Sequence, residues 1–160
     1  MRRLILMRHG EAERPRPGLE DFDRALDEEG RAESRRMGEA LAKAGFTPGL
    51  ALVSAARRTL ETWAGAAAAF TGDVAVEQRR ALYAASAATL SASASEAAER
   101  AQTVMIVGHN PGIHQYAAHL AAQAGGPMLS RFPTGSAAVF GFGEDGAPTL
   151  EAALMAKDLR

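Results

Sequence analysis

Apolar residues in this chain gather in short runs, each cut off by polar or charged residues. Leu4, Ile5, Leu6 and Met7 are followed at once by Arg8 and His9. The stretch from Leu50 to Val53 stops at Ser54, and that from Thr103 to Val107 stops at Gly108. Runs this short, without polar alternation, predict strands covered on both faces, as in a parallel sheet. Between them the spacing becomes helical. Ala32, Met37, Ala40, Leu41 and Ala44 recur near the helical period before Gly45, predicting a helix over 29–44. A second helix is predicted to start at Ser54 as N-cap and to run through Thr62 and Trp63 toward Phe70. Leu90, Ala94, Ala97 and Ala101 mark a weakly amphipathic third helix over 87–101. Asn110 as N-cap, with Pro111 at the first helical position, opens a fourth that ends near Gln123.

The remaining segments complete the architecture. Residues 12–24 are rich in Pro, Gly and charge, show no period and read as an irregular loop. Val74 to Val76 is a minor strand. Ala137 to Phe142 and Thr149 to Met155 flank Glu144-Asp145-Gly146, a turn suited to an antiparallel hairpin at a sheet edge. Strands alternating with helices predict a three-layer α/β/α sandwich: a mostly parallel central sheet closed by a C-terminal antiparallel hairpin. No internal repeat interrupts this order, and a length of 160 residues suits one domain over 1–160.

Composition narrows the chemistry. With no cysteine, disulfides, thiolate metal sites and thiol nucleophiles are excluded. Lys and Arg number 18 against 19 Asp and Glu, so no global field collects nucleic acid or an anionic membrane, and neither is an expected partner. The apolar run at 4–7 is too short for a signal-peptide core or a membrane span, and the expected location is cytoplasmic. Any anion site must therefore be local.

The predicted strand ends supply one. Arg8-His9-Gly10, Ser54 to Arg58 and Gly108-His109-Asn110 each follow a strand directly. In open α/β sheets, ligand sites collect at the carboxyl ends of strands, so these groups can converge. Two imidazoles and two or three guanidinium groups in one crevice suit a phosphoryl dianion, because Arg offers forked charge-assisted hydrogen bonds and helix N-termini offer amides. A neutral imidazole is also nucleophilic at pH 7 and can carry a phosphoryl group that water later removes, with no metal or other cofactor required.

Those residues carry a resemblance. Leu6-Met7-Arg8-His9-Gly10-Glu11 resembles the signature of the histidine phosphatase superfamily, also called phosphoglycerate mutase-like. Ser54-Ala55-Ala56-Arg57-Arg58-Thr59-Leu60-Glu61-Thr62 is similar to its Ser-Pro-x-x-Arg element, and Val107-Gly108-His109-Asn110-Pro111 to its second-histidine element. Arg24-Ala25-Leu26-Asp27-Glu28-Glu29-Gly30 resembles its Arg-x-Leu-Thr-x-x-Gly segment. Length and loop spacing resemble the SixA phosphohistidine phosphatase subgroup. Ala55 stands where the family usually has Pro, a change that alters helix entry, and Asp27 stands where Thr is common, away from the phosphate.

The resemblance implies His9 as nucleophile, Arg8 and Arg58 as the main phosphate ligands, and His109 as a second imidazole on the same phosphoryl oxygens. Arg24 is implied at the rim, with Gly10 and Asn110 as further substrate-binding positions. The family spacing selects Arg58 over Arg57, which reads as a solvated charge. His114 and His119, five apart on one helix, point to different sides and read as surface or core residues rather than metal ligands. Glu11 and Glu13 read as loop-start residues. Larger members place an acid in the segment that here runs from Glu77 to Tyr83, but Arg80 or Ala81 stands near the expected position, so the proton donor stays open between Glu11, Glu77 and no residue. The expected substrate is a phosphohistidine-bearing protein, such as the histidine phosphotransfer domain of a signalling relay. A small phosphorylated metabolite is the alternative, and a phosphate-binding module without turnover the third reading. Fewer than fifty residues separate the Arg58 element from Val104, leaving little room for a lid.

Overall fold

The apolar runs become the inner strands of one six-stranded sheet. The computed structural model describes residues 1–159, with β1 at Arg3–Arg8, β2 at Leu50–Ser54, β3 at Ala75–Arg79, β4 at Thr103–Gly108, β5 at Ala137–Phe142 and β6 at Pro148–Leu154. The helices are α1 at Glu28–Lys43, α2 at Arg57–Ala67, α3 at Ala87–Ala97 and α4 at Gly112–Gln123. Strand order is β3-β2-β4-β1-β5-β6. β1 to β4 pair in parallel, while β5 and β6 are antiparallel, as the C-terminal hairpin reading anticipates.

Two-residue periodicity divides the strands between two cores. Leu4, Leu6, Leu52 and Ile106 pack with Leu90 of α3 and Ile113 and Leu120 of α4. Ile5, Met7, Val53, Met105 and Val107 face the other way, against Met37 and Leu41 of α1. This is the three-layer arrangement. Each fully buried Leu or Ile contributes about 2 kcal/mol through removal from water. Both faces being covered is why the runs lack polar alternation.

Register aligns the functional ends. Met7 and Val53 both pair with Val107, and Arg8 pairs with Gly108, so β1, β2 and β4 finish level at one edge of the sheet. His9, Ser54 and His109 therefore leave the sheet side by side.

Helix boundaries differ from expectation at the starts of α2 and α4 and at the end of α3. Ser54 is the last residue of β2, and Ala56 occupies the N-cap of α2 with no side-chain cap. Asn110 does not cap α4: Pro111 stands at the N-cap position and Gly112 begins the helix, after a cis Asn110–Pro111 peptide. The Asn110 amide instead donates to the Phe132 carbonyl at 3.0 Å. α3 ends at Ala97, short of Ala101, and is capped by Ser86, whose Oγ accepts from Thr89 N at 3.1 Å. By contrast, α1 is capped by Asp27, whose carboxylate accepts from Gly30 N at 2.8 Å, and is followed by Gly45 at φ +81°. β3 extends beyond Val76 through Glu77, Gln78 and Arg79, an exposed edge whose polar composition hides it from a search for apolar runs. The 12–24 loop carries a 3-10 turn at Asp21–Asp23 and a bridge from Ala12 to Leu26.

Candidate active site

The backbone fixes His9 first. Its N–H donates to the Gly108 carbonyl at 3.1 Å, and its own carbonyl accepts from Gly135 N at 2.9 Å, tying it to β4 and to the loop before β5. The side chain is only 7% exposed. Its Nδ1 lies 2.7 Å from the Gly10 carbonyl. A carbonyl only accepts, so Nδ1 carries the proton and Nε2 keeps the lone pair. Burial pushes the His9 pKa down to about 3, with His109, Arg58 and Arg8 adding to the effect. The ring is neutral, and its basic nitrogen is Nε2.

His109 lies beside it, with ring centroids 5.3 Å apart. Burial, then the Arg58 charge, lowers its pKa to about 4. Its Nε2 is 2.7 Å from Ser54 Oγ, while Nδ1 is buried without a hydrogen-bond partner. Tyr83 meets this ring edge-on at 5.5 Å.

The two arginines arrive from different elements. Arg8 ends β1, and its Nη1 donates to the Phe132 carbonyl at 3.2 Å, the same oxygen that Asn110 uses. Burial lowers its pKa, and Glu11 and Glu33 oppose that shift. Arg58 sits in the first turn of α2, 6% exposed, gripping Asp21 with Nη1 and Nη2. Nε of each arginine is buried and unpartnered. Asp21 also accepts from Tyr83 and from Arg24, and these bonds, Tyr83 first, hold its carboxyl well below the usual range. Arg24 further donates to the Glu13 carbonyl at 2.8 Å, and it shares Asp21 with Arg58. Gly10 serves through its backbone: its carbonyl orients His9, and its N–H donates to Thr62 Oγ1 at 3.0 Å. So His9, Arg8, Arg58 and His109 converge, with Gly10, Asn110 and Arg24 around them.

Other polar residues sort away from this cluster. Arg57 is exposed and pairs with Glu61 one turn on. His114 lies 2.7 Å from the Leu129 carbonyl and stacks on Phe132, supporting the loop that carries the Arg8 acceptor. Glu77 is bound by Arg79 and Arg100 on the exposed β3 edge, which lowers its pKa to about 2. Three contributors were not legible: Asp21, in a loop without period; Tyr83, in a segment searched for acids; and Glu33. Glu33 is buried, accepts from Glu11 N at 2.7 Å and from the Thr134 hydroxyl at 3.2 Å, and burial raises its pKa. Among the described residues no three His, Asp or Glu side chains are grouped to hold a metal, and no helix is long and apolar enough to cross a membrane.

The model of the histidine phosphatase superfamily (branch 1) matches residues 4–84, just over half of the chain. The chain belongs to the histidine phosphatase superfamily. A solved structure from Agrobacterium tumefaciens, assigned as a SixA phosphohistidine phosphatase, is similar at 33% identity and a TM-score of 0.84, covering 96% of this chain and 97% of that one. A protein histidine phosphatase SixA complexed with tungstate matches at 22% identity and a TM-score of 0.82 over 99% of each chain. An assigned alpha-ribazole-5'-P phosphatase from Escherichia coli matches at 16% identity and a TM-score of 0.65 over 98% of each. At the last two identities the likeness is one of fold. No curated protein sequence matches the chain.

The matched segment of this histidine phosphatase contains His9, Arg8 and Arg58 but ends before His109. The second imidazole reaches the first through the level ends of β1 and β4. A nucleophilic nitrogen, two guanidinium groups with unspent Nε donors, and a second neutral imidazole make a site that can stabilise charge on three equatorial phosphoryl oxygens.

Proposed function

We propose that this histidine phosphatase is a cytoplasmic, metal-independent enzyme that acts as one catalytic domain through a phosphohistidine at His9. The observation carrying the reading is the hydrogen bond from His9 Nδ1 to the Gly10 carbonyl, which leaves the Nε2 lone pair free beside two guanidinium groups. In the first step the Nε2–P bond forms as the bond from phosphorus to the leaving group breaks. Arg8, Arg58 and His109 hold the oxygens as charge spreads. Water then attacks phosphorus, releasing phosphate and restoring His9.

The favoured substrate is phosphohistidine on a signalling protein, such as a histidine phosphotransfer domain. Two observations support it. The similar A. tumefaciens structure, at 33% identity, is assigned as a SixA phosphohistidine phosphatase. In addition, Glu77 is tied into surface ion pairs, and a leaving imidazole, unlike an alkoxide, does not need a strong acid. A small phosphorylated metabolite is the second reading, favoured by the likeness in fold to the E. coli alpha-ribazole-5'-P phosphatase.

Brief incubation with a phosphorylated substrate, followed by alkaline quenching and peptide mapping, is the test. Label on His9, lost with turnover in His9→Ala, is the expected result. Label on His109, or ordinary activity in His9→Ala, would reject the assignment. Competition between a phosphorylated histidine protein and a panel of phosphomonoesters separates the two substrate readings.

A further inference from the structure

We propose that Ser54 is a positioning residue that sets the tautomer of His109, holding its proton on Nδ1 so that the ring meets the phosphoryl group as a hydrogen-bond donor. The inference rests on the reading of the pocket given above.

Ser54 ends β2 with no solvent exposure. Its Oγ has two partners among the described residues: the Ala56 N–H at 3.5 Å and His109 Nε2 at 2.7 Å. The amide only donates, so it takes an oxygen lone pair. The hydroxyl hydrogen then has one acceptor in reach, Nε2. If Nε2 carried a proton, two donors would converge on Oγ, the buried hydroxyl hydrogen would be unpaired, and the Nδ1 lone pair would be unmet as well. With the hydroxyl donating to Nε2, only the Nδ1 hydrogen stays unpaired. Nδ1 is indeed the ring atom that is buried without a partner.

A neutral imidazole has one donor and one acceptor, so a bond that fixes either nitrogen fixes the other. Burial and Arg58 keep the His109 ring neutral at pH 7. Its single donor is therefore assigned by Ser54, at a ring 5.3 Å from that of the nucleophile. A phosphoryl oxygen gaining charge is stabilised by an N–H and repelled by a lone pair, so the wrong tautomer would turn His109 from a help to a hindrance. Free histidine favours the proton on Nε2, which makes an imposed Nδ1–H a device rather than a default.

Long-range proton–nitrogen NMR on labelled protein at pH 7 reads the tautomer directly, with the His109 signals assigned through a His109→Gln variant. The wild type is expected to carry the proton on Nδ1, and tungstate is expected to shift that signal. Ser54→Ala should move the proton to Nε2 and lower kcat by about tenfold to a hundredfold with little change in KM, as partial loss of one transition-state donor would. Ser54→Thr, which keeps the hydroxyl, should restore the Nδ1–H form. A wild-type ring protonated on Nε2, or a Ser54→Ala protein that keeps the proton on Nδ1, overturns the proposal. Should Ser54→Ala not fold, the wild-type spectrum still decides. Absence of turnover in the wild type would sink the reading of the pocket instead, while the tautomer assignment would stand.

Discussion

Asp21 holds Arg58 by two bonds: its backbone carbonyl accepts from Nη1 at 2.7 Å and its carboxylate from Nη2 at 3.0 Å. The guanidinium is thereby held in one orientation, with Nε still unpartnered. Tyr83 and Arg24 bind the same carboxylate, so the 21–24 turn, the end of the 80–83 segment and α2 share one anchor.

Arg58→Ala is expected to lower kcat/KM by about two orders of magnitude or more, since one lost clamp costs roughly 3 kcal/mol of transition-state stabilisation. Asp21→Ala should fall between that variant and wild type, because the guanidinium survives but is no longer oriented. Arg57→Ala should change little. Steady-state kinetics on the three proteins checks the order, and equal damage from Arg57→Ala and Arg58→Ala would contradict it.

Glu77 is held ionised by Arg100 and Arg79 on an exposed strand edge. Glu77→Gln should therefore leave turnover unchanged. Without an acid there, rates should fall from phosphoimidazole or aryl phosphate to simple alkyl phosphates, whose alkoxides need a proton. An alkyl phosphate hydrolysed as fast as phosphohistidine would point to a carboxyl donor such as Glu11.

The pH dependence has a definite sign. His9 and His109 have folded pKa values near 3 and 4, below the ordinary 6.5, chiefly through burial. Between those values and 6.5 the unfolded chain binds more protons than the native one, so stability falls as pH drops through this window and is unaffected by these groups above it. Thermal melts from pH 7 to pH 4 should decline more steeply in wild type than in His9→Asn. Rings that titrate near 6.5 in the folded protein would refute this.

Gly10 and Gly30 cross at backbone contact. A Cβ on Gly10 would lie 2.5 Å from the Gly30 carbonyl oxygen, and one on Gly30 would lie 2.0 Å from that of Glu11. Backbone cannot yield as a side-chain tip does, so Gly10→Ala should destabilise by about 1–3 kcal/mol and also displace the carbonyl that orients His9. Urea denaturation and activity should fall together. A fully stable, fully active Gly10→Ala protein would show that α1 can move away at little cost.

The sequence by itself determined the inner strands, the helices between them and the residues at the strand ends. Burial on both faces leaves an uninterrupted apolar run, and Arg8, His9 and His109 mark where that burial stops. The resemblance to the family's Ser-Pro-x-x-Arg element favoured Arg58 over Arg57, and Arg58 is the buried one of the two. What Ser54 and Asn110 do was decided only by the tertiary structure. Both have the chemistry of helix caps, yet Ser54 faces His109 and Asn110 faces the Phe132 carbonyl, because neighbouring strands and the 127–135 loop offer those partners first. Asp21, Glu33 and Tyr83 were illegible for the same reason. Each has a partner far off in the chain, 37, 101 and 62 positions away at Arg58, Thr134 and Asp21 respectively, and no local period records a hydrogen bond that exists only once the sheet has brought its ends together.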